Sequence, residues 1–349
     1  MTRIAIIPNV SGVGGMVSFW GRISSGLEKC GFETTSLIQP EDADLKGILV
    51  IGGTKDIPAL WRAKLKKKRV VQRLNGLNWM HRRMKTGVRH FLRAEYGNLI
   101  LNFIRLRIAD HIVYQSNFVK GWWEKSRGES RVTSSVVYNG VDLNLFTPEV
   151  NTGIEEYKRP EDRYRVLMVE GNLGGGYEVG IKTAVQLVRH LNTTSNTTIK
   201  KPVELVIAGK LSEKMMTEWS GITDIQLTFT GLVNPKNIPS LDRSAHFLFS
   251  ADINAACPNS VIESLACGTP ALGFDTGGLP ELIINTSGEV VPYGGNPWRL
   301  DPPDVKSLAA GGAKILKHLG EYQTGARTRA VEAFGVDRMV DEYLRAFDL

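Results

Sequence analysis

Residues 259–281, NSVIESLACGTPALGFDTGGLPE, bring together residue types that can bind a phosphorylated ligand bearing hydroxyl groups. Glu263 lies in a short apolar helix pattern with Val261, Ile262, Leu265 and Ala266. A carboxylate there can accept hydrogen bonds from two adjacent hydroxyls, such as those of a ribose. Pro258, Asn259 and Ser260 are candidate ligand contacts beside Glu263, and Gly268 stops the helix. Ala271 to Phe274 then read as a buried strand, Asp275 to Gly278 as a glycine loop, and Pro280 as the start of another helix. Backbone N–H groups at helix starts and in glycine turns converge on anions without help from lysines. An ordinary αβ unit with a surface glutamate fits the same residues, and on residue chemistry alone both readings stay open.

The rest of the chain supplies elements that position such a site. Arg3 to Ile7 read as a strand, Pro8 to Gly15 as a glycine loop, and Met16 to Cys30 as a helix. Gly14 and Gly15 either bring backbone against a ligand or allow tight strand–helix packing. Their spacing does not match the dinucleotide fingerprint and no acid closes the next strand, which argues against a nicotinamide cofactor. Val70 to Leu74 read as a strand that carries Arg73, Asn75 and Gly76 to its carboxyl end, where ligands sit in open parallel sheets. A second doubly wound unit begins at the strand Arg165 to Val169. Its loop, Asn172 to Tyr177, contains Gly174, Gly175 and Gly176, and a helix follows from about Val179 to Leu191. Later strands end near Lys210 and near Leu232 and Val233, and the strand Phe247 to Phe249 leads through Asp252 back to Asn259.

A chain of 349 residues is comfortable for two domains. Its 42% hydrophobic and 23% charged residues place it among globular proteins. Cys30, Cys257 and Cys267 have no metal-ligand spacing and fit a reducing compartment. The opening MTRIAIIPNV is too short and too soon broken by Pro8 to read as a secretory leader. A net charge of +7 favours anionic partners. Much of that charge lies in a basic, aromatic segment from Trp79 to Arg107, with Arg82, Arg83, Lys85, Arg89, Arg93, Arg105 and Arg107. The segment reads as a peripheral membrane surface, as a contact for an acidic acceptor, or as a solvated helical face. No nucleic-acid motif accompanies it, and nucleic acid is not expected as a partner.

Two stretches carry a family resemblance: VVYNGVDLNLFTP at 136–148 and SVIESLACGTPALGFDTGGLPELI at 260–283. Both resemble retaining glycosyltransferases of family 4. The resemblance implies an α/β fold of two Rossmann-like domains, the GT-B architecture, with an interdomain cleft. It places an acceptor domain at 1–150, a donor domain at 164–330, and a last helix, 331–349, crossing back to the first domain. It implies a donor sugar on a UDP- or GDP-type nucleotide diphosphate, a glycan or lipid-linked acceptor, no cofactor and no metal. Location would be cytoplasmic, at the inner face of the membrane. Glu263 would hold the ribose, and the turn at Leu232 and Val233 would read the base. Arg73 and Asn75 would face substrate.

The chain departs from the family pattern in two places. Asn172 stands where an arginine is usual, with Tyr177 or Glu178 where a lysine is usual, and Ala255 stands where a second glutamate is usual. Lys210 and the loop glycines Gly174 and Gly175 are the expected compensation, with Lys182 a further cation. Readings that stay open are a nucleotide-sugar epimerase or phosphorylase on the same architecture, a nucleotide-sugar binding protein without catalysis, and a basic membrane- or nucleic-acid-binding protein.

Overall fold

The computed structural model describes residues 2–12, 14–84, 87–149, 157–173, 178–194 and 199–349. Gly174, Gly175, Gly176, Tyr177 and Lys85 lie outside the described residues, as do the side chains of Asn172 and Glu178. The chain forms two compact units. Unit 1 gathers Met1–Gly140 with Val336–Leu349, and unit 2 is Val141–Gly335.

Unit 1 alternates strands and helices in chain order: β1 (Arg3–Ile7), α1 (Gly15–Lys29), β2 (Glu33–Thr35), β3 (Leu45–Ile51), α2 (Ile57–Leu65), β4 (Arg69–Leu74), α3 (Val88–Phe103), β5 (His111–Tyr114), α4 (Asn117–Arg127) and β6 (Thr133–Val136). The six strands are parallel, in the order β2-β1-β3-β4-β5-β6. Runs such as Ile48 to Ile51 are buried on both faces, which explains why they are apolar without alternation.

Unit 2 contains β7 (Tyr164–Asn172), α5 (Glu178–Thr194), β8 (Val203–Lys210), α6 (Glu213–Ser220), β9 (Gln226–Gly231), α7 (Ile238–Ser244), β10 (Phe247–Phe249), α8 (Asn259–Ala266), β11 (Ala271–Phe274), α9 (Leu279–Leu282), β12 (Gly288–Val291), α10 (Val305–Lys317) and α11 (Leu319–Ala333). Its parallel strands run β9-β8-β7-β10-β11-β12. Counted from β7 this is the order 3-2-1-4-5-6 of dinucleotide-binding sheets, which reverses direction between β7 and β10.

The last helix, α12 (Val336–Phe347), belongs to unit 1. It buries Met339, Val340, Tyr343, Ala346 and Phe347, the one-sided spacing of an amphipathic helix. Its partners on α1 are Phe19, Ile23 and Leu27, again one face. Two glycines let it sit close. A Cβ added at Gly26 would lie 2.3 Å from Val340 Cγ2, and one at Gly47 of β3 would lie 2.5 Å from the Phe347 ring. Among the described residues no helix is long and apolar enough to cross a membrane.

Several helices start on a side-chain cap. Asp56 accepts from Ala59 N at 3.2 Å, Ser116 from Val119 N at 3.3 Å, Ser212 from Met215 N at 3.3 Å, and Asp304 from Ser307 N at 3.0 Å. The helices α1 and α8 carry no side-chain cap.

The close contact of α12 gives a stability test. Gly47→Ala is expected to destabilise the protein by about 1–3 kcal/mol, because a rigid ring must move to admit the methyl group. Urea unfolding measures this. Adding Phe347→Ala removes the clash, so the double variant should cost less than the sum of the two single changes; strict additivity would rule out the contact.

Candidate functional site

The carboxyl edge of the unit 2 sheet carries the loops that follow β10 and β11. The β11 loop contains Gly277, whose φ of +65° suits glycine. A Cβ there would lie 2.5 Å from both the backbone N and O of Ala255, so the contact admits no other residue. Gly278 N donates to Ala255 O at 2.7 Å, and Asn254 N donates to Thr276 Oγ1 at 3.4 Å. The β10 and β11 loops are thereby held together, and α8 leaves from the first of them.

Pro258 occupies the N-cap of α8 in an extended conformation, with φ −68° and ψ 124°. Its carbonyl accepts from Ile262 N, while no side chain caps the first turn. Asn259, Ser260 and Glu263 are half-buried on this helix. Such a start presents backbone N–H groups and the positive end of the helix dipole at the sheet's carboxyl edge.

On β7, the pairing with β8 shifts register between Val169 and Asn172, leaving Glu170 and Gly171 in a bulge. Gly209 of β8 accommodates it, since a Cβ there would lie 2.2 Å from the Glu170 carbonyl oxygen. Asn172 regains pairing opposite Lys210, whose carbonyl accepts from Leu173 N at 3.0 Å. Lys210 is exposed at the end of β8, Lys182 is exposed on α5, and Leu232 and Val233 follow the edge strand β9 with Leu232 exposed.

The bulge positions an acid that lies outside the sequence motifs. Glu170 and Asp252 lie at the ends of neighbouring strands, on either side of the point where strand order reverses. Burial raises the Glu170 carboxyl, and the Asp252 charge raises it further. Burial likewise raises Asp252. Two carboxyls shifted upward in this way stay partly protonated near neutrality, so they can both donate and accept hydrogen bonds. Asp252 stands out in the sequence as an acid out of register with the family motif. Its partnership with Glu170 depends on strand order.

In unit 1, Gly14 caps α1 with φ +132°, a backbone state reserved for glycine, and its carbonyl accepts from Val17 N and Ser18 N at 3.0 and 3.1 Å. Open space surrounds its Cβ position, so backbone conformation rather than crowding selects glycine. Gly15 is the first residue of α1. Arg73 is only 3% exposed. Its Nη2 donates to Asn139 Oδ1 at 2.8 Å and its guanidinium lies 3.8 Å over the Phe19 ring. Asn75 is half-buried and its carbonyl accepts from Trp123 Nε1 at 2.8 Å. Arg105, counted with the surface cations in the sequence, is instead fully buried in a π turn at Ile104–Ile108, bonded to Tyr114, Asn102 and the Gly128 carbonyl.

The acid pair has a testable consequence. Glu170 binds its proton more tightly in the folded chain than in the unfolded one. Its contribution to stability is therefore full below the ordinary carboxylate range and is lost as pH rises through about 8. Glu170→Gln should raise the melting midpoint at alkaline pH and leave it unchanged in acid. A melting profile with the wild-type pH slope would contradict the raised Glu170 pKa.

Comparison with known proteins places this geometry. The family model described as Glycosyl transferases group 1 matches residues 152–328. An MMP alpha-(1->4)-mannosyltransferase of Mycolicibacterium hassiacum is 27% identical over 207 residues, covering 57% of this chain and 44% of that protein. The match thus spans less than half the length of that curated relative. Among solved structures, sucrose-phosphate synthase from Thermosynechococcus elongatus superposes with a TM-score of 0.71 at 14% identity, covering 100% of this chain and 98% of that one. WaaG, a glycosyltransferase involved in lipopolysaccharide biosynthesis, gives 0.68 at 14% identity, with 98% of each chain covered. Anabaena HepE in complex with UDP-glucose gives 0.65 at 14% identity, with 100% of each chain covered. These likenesses show the fold, two six-stranded parallel sheets with helices in the GT-B manner. With the family match covering half of its length, this chain belongs to the glycosyl transferases group 1 family.

Proposed function

We propose that the protein is a retaining, metal-independent glycosyltransferase of family 4, which moves a sugar from a nucleotide diphosphate to an acceptor hydroxyl in glycan or polysaccharide synthesis. The observation that carries the reading is the uncapped start of α8, with Glu263 one turn further on, at the carboxyl edge of a sheet ordered 3-2-1-4-5-6. Pro258, Asn259 and Ser260 meet the donor diphosphate through backbone N–H groups, and Glu263 accepts from the ribose hydroxyls. Leu232 and Val233 lie against the base. Lys210 and the loop of Asn172, Gly174 and Gly175 complete the phosphate contacts. A HepE structure solved with UDP-glucose supports a nucleotide-sugar donor, and the donor is proposed to be of UDP or GDP type.

Transfer needs the leaving diphosphate stabilised as its charge develops, which preorganised N–H groups and a helix dipole accomplish. The acceptor oxygen attacks the anomeric carbon on the face the phosphate leaves, and the departing phosphate oxygen takes the hydroxyl proton. Configuration is retained without a protein nucleophile. Glu170 and Asp252 take the place of the acid missing at Ala255, exchanging hydrogen bonds with the donor's sugar hydroxyls. Gly14, Gly15, Arg73 and Asn75 mark the acceptor side, Arg73 and Asn75 through the strand end that they shape.

The acceptor is proposed to be lipid-linked and met at an anionic membrane on the cytoplasmic side. Val88, Leu92, Tyr96, Leu99, Phe103 and Leu106 form one exposed stripe along α3 and the following turn, each between 45% and 77% exposed. Arg89, Arg93 and Arg107 are exposed beside it. A stripe of apolar residues flanked by cations matches a bilayer surface with anionic headgroups.

Calorimetric titration with UDP, GDP and their sugar conjugates, with and without Mg²⁺, tests the donor assignment. Binding of one nucleotide should be indifferent to metal and weakened about tenfold or more in Glu263→Ala, the scale of a lost hydrogen bond to a charged group. Unchanged affinity in the variant would remove Glu263 from the site. For the membrane face, Leu92→Asp with Leu99→Asp should abolish cosedimentation with phosphatidylglycerol vesicles and leave nucleotide affinity intact. Vesicle binding that survives the two changes would refute this surface.

A further inference from the structure

At the amino edge of the unit 2 sheet, opposite the loops that build the donor site, lies a cavity of about 620 Å³. Arg159 reaches it from the segment before β7, Arg243 from the end of α7 before β10, and Arg327 from α11. Gln323, Thr324 and Thr328 line the α11 side.

Each guanidinium is held by neutral acceptors. Arg159 Nε donates to the Arg243 carbonyl at 3.0 Å, and its Nη1 and Nη2 lie 2.5 and 3.2 Å from the Gln323 amide oxygen in the orientation that satisfies both groups. Arg243 donates to the Thr147 carbonyl at 3.3 Å and to Ser240 Oγ at 3.0 Å, while its Nε is buried without an acceptor. Arg327 donates to the carbonyls of Phe146, Ala266 and Leu143 at 2.8, 2.7 and 3.1 Å. Among the described residues, none of the three pairs with a carboxylate.

The acid beside Arg243 in the chain does not neutralise it. Asp242 is buried, both its carboxylate oxygens lack hydrogen-bond partners, and burial together with the Glu263 charge holds its proton well above the ordinary range despite Arg243. Three cations thus face one opening with their charge uncompensated. Burial already lowers the Arg159 pKa from its usual value, the direction expected when a cation lacks an anion. Guanidinium forks match phosphate oxygens in pairs, and threonine hydroxyls add donors beside them. A cavity of this volume falls within the range of small-molecule pockets, roughly 300–1,000 Å³, and has room for more than bare phosphate.

We propose that unit 2 carries a second anion site here, for a soluble phosphate ester, separate from the nucleotide site and independent of its assignment. The ester's phosphate sits among Arg159, Arg243 and Arg327, and its organic part fills the remainder of the cavity along α11.

Calorimetry on the whole chain with glucose 6-phosphate and with inorganic phosphate as probes tests this. Saturable binding is expected, equal with and without UDP or GDP present, and weakened about tenfold or more by Arg159→Gln or Arg243→Gln, in line with the loss of a charge-assisted hydrogen bond. Nucleotide affinity should be unchanged in both arginine variants. Melting curves report whether each variant folds, and should Arg243→Gln fail, Arg159→Gln decides. No saturable binding of either probe overturns the proposal. So does binding insensitive to Arg159→Gln, or binding competed away by UDP or GDP, which would return the ligand to the nucleotide site. Binding confined to phosphatidylglycerol vesicles and lost in Arg159→Gln would replace the soluble ester with a lipid headgroup.

Discussion

The candidate donor site rests on a backbone-to-backbone contact. Gly277 lies against Ala255 so closely that a single methyl group on Gly277 would collide with main-chain atoms. Main chain cannot shift as a side-chain tip can, so the β10 and β11 loops have one arrangement. That arrangement sets where Pro258 ends the loop and where the first turn of α8 exposes its N–H groups. With Ala255 4% exposed and its backbone committed to Gly277 and Gly278, a long acid at this position would need space that the packed loop does not provide.

The fold was largely legible because parallel strands buried on both faces leave continuous apolar runs in the sequence, as at Ile48 to Ile51 and Leu205 to Ala208. Elements without that signature were harder to read. The strand β2 is Glu-Thr-Thr, with little burial. The helix α11 buries Tyr322, Ala326 and Ala330, a correct helical spacing made mostly of alanines that carry little hydrophobic signal. The helix α2 has a capping Asp56 and an early Pro58, legible signs that a short apolar run conceals. The strand after α4 runs over Thr133–Val136, earlier than the apolar residues Val136 to Tyr138 indicate, because an edge strand need not be apolar.

Side-chain roles were less legible than the elements. Glu263 and the glycine turns are candidates on local spacing alone because they share one short stretch. Glu170 and Asp252 are distant in sequence and meet only through the neighbouring placement of β7 and β10. Arg105 looks like one more surface cation until the π turn at the end of α3 directs it inward, onto Tyr114 and the Gly128 carbonyl. Arg159, Arg243 and Arg327 come from three separated segments and converge only at the amino edge of the sheet. Convergence of charge depends on tertiary contacts, and periodicity carries no trace of it.

These placements bear on how a diphosphate could be held without the arginine usual at Asn172. Two ionised carboxylates near the end of β7 would oppose an approaching diphosphate. Burial and mutual repulsion keep the Glu170–Asp252 pair partly protonated, which removes much of that opposition near neutrality. What remains attractive is the uncapped α8 dipole and the backbone N–H groups around it. Such groups stabilise charge in a fixed direction and need no side-chain ordering, whereas a long arginine would lose rotamer freedom on binding. Dipoles falling off within the first turn also act best on charge that sits directly at the helix start. If a diphosphate leaves there, as proposed, its developing charge would fall where the dipole is strongest, so this arrangement would favour the transition state over the bound donor, the difference on which catalysis depends.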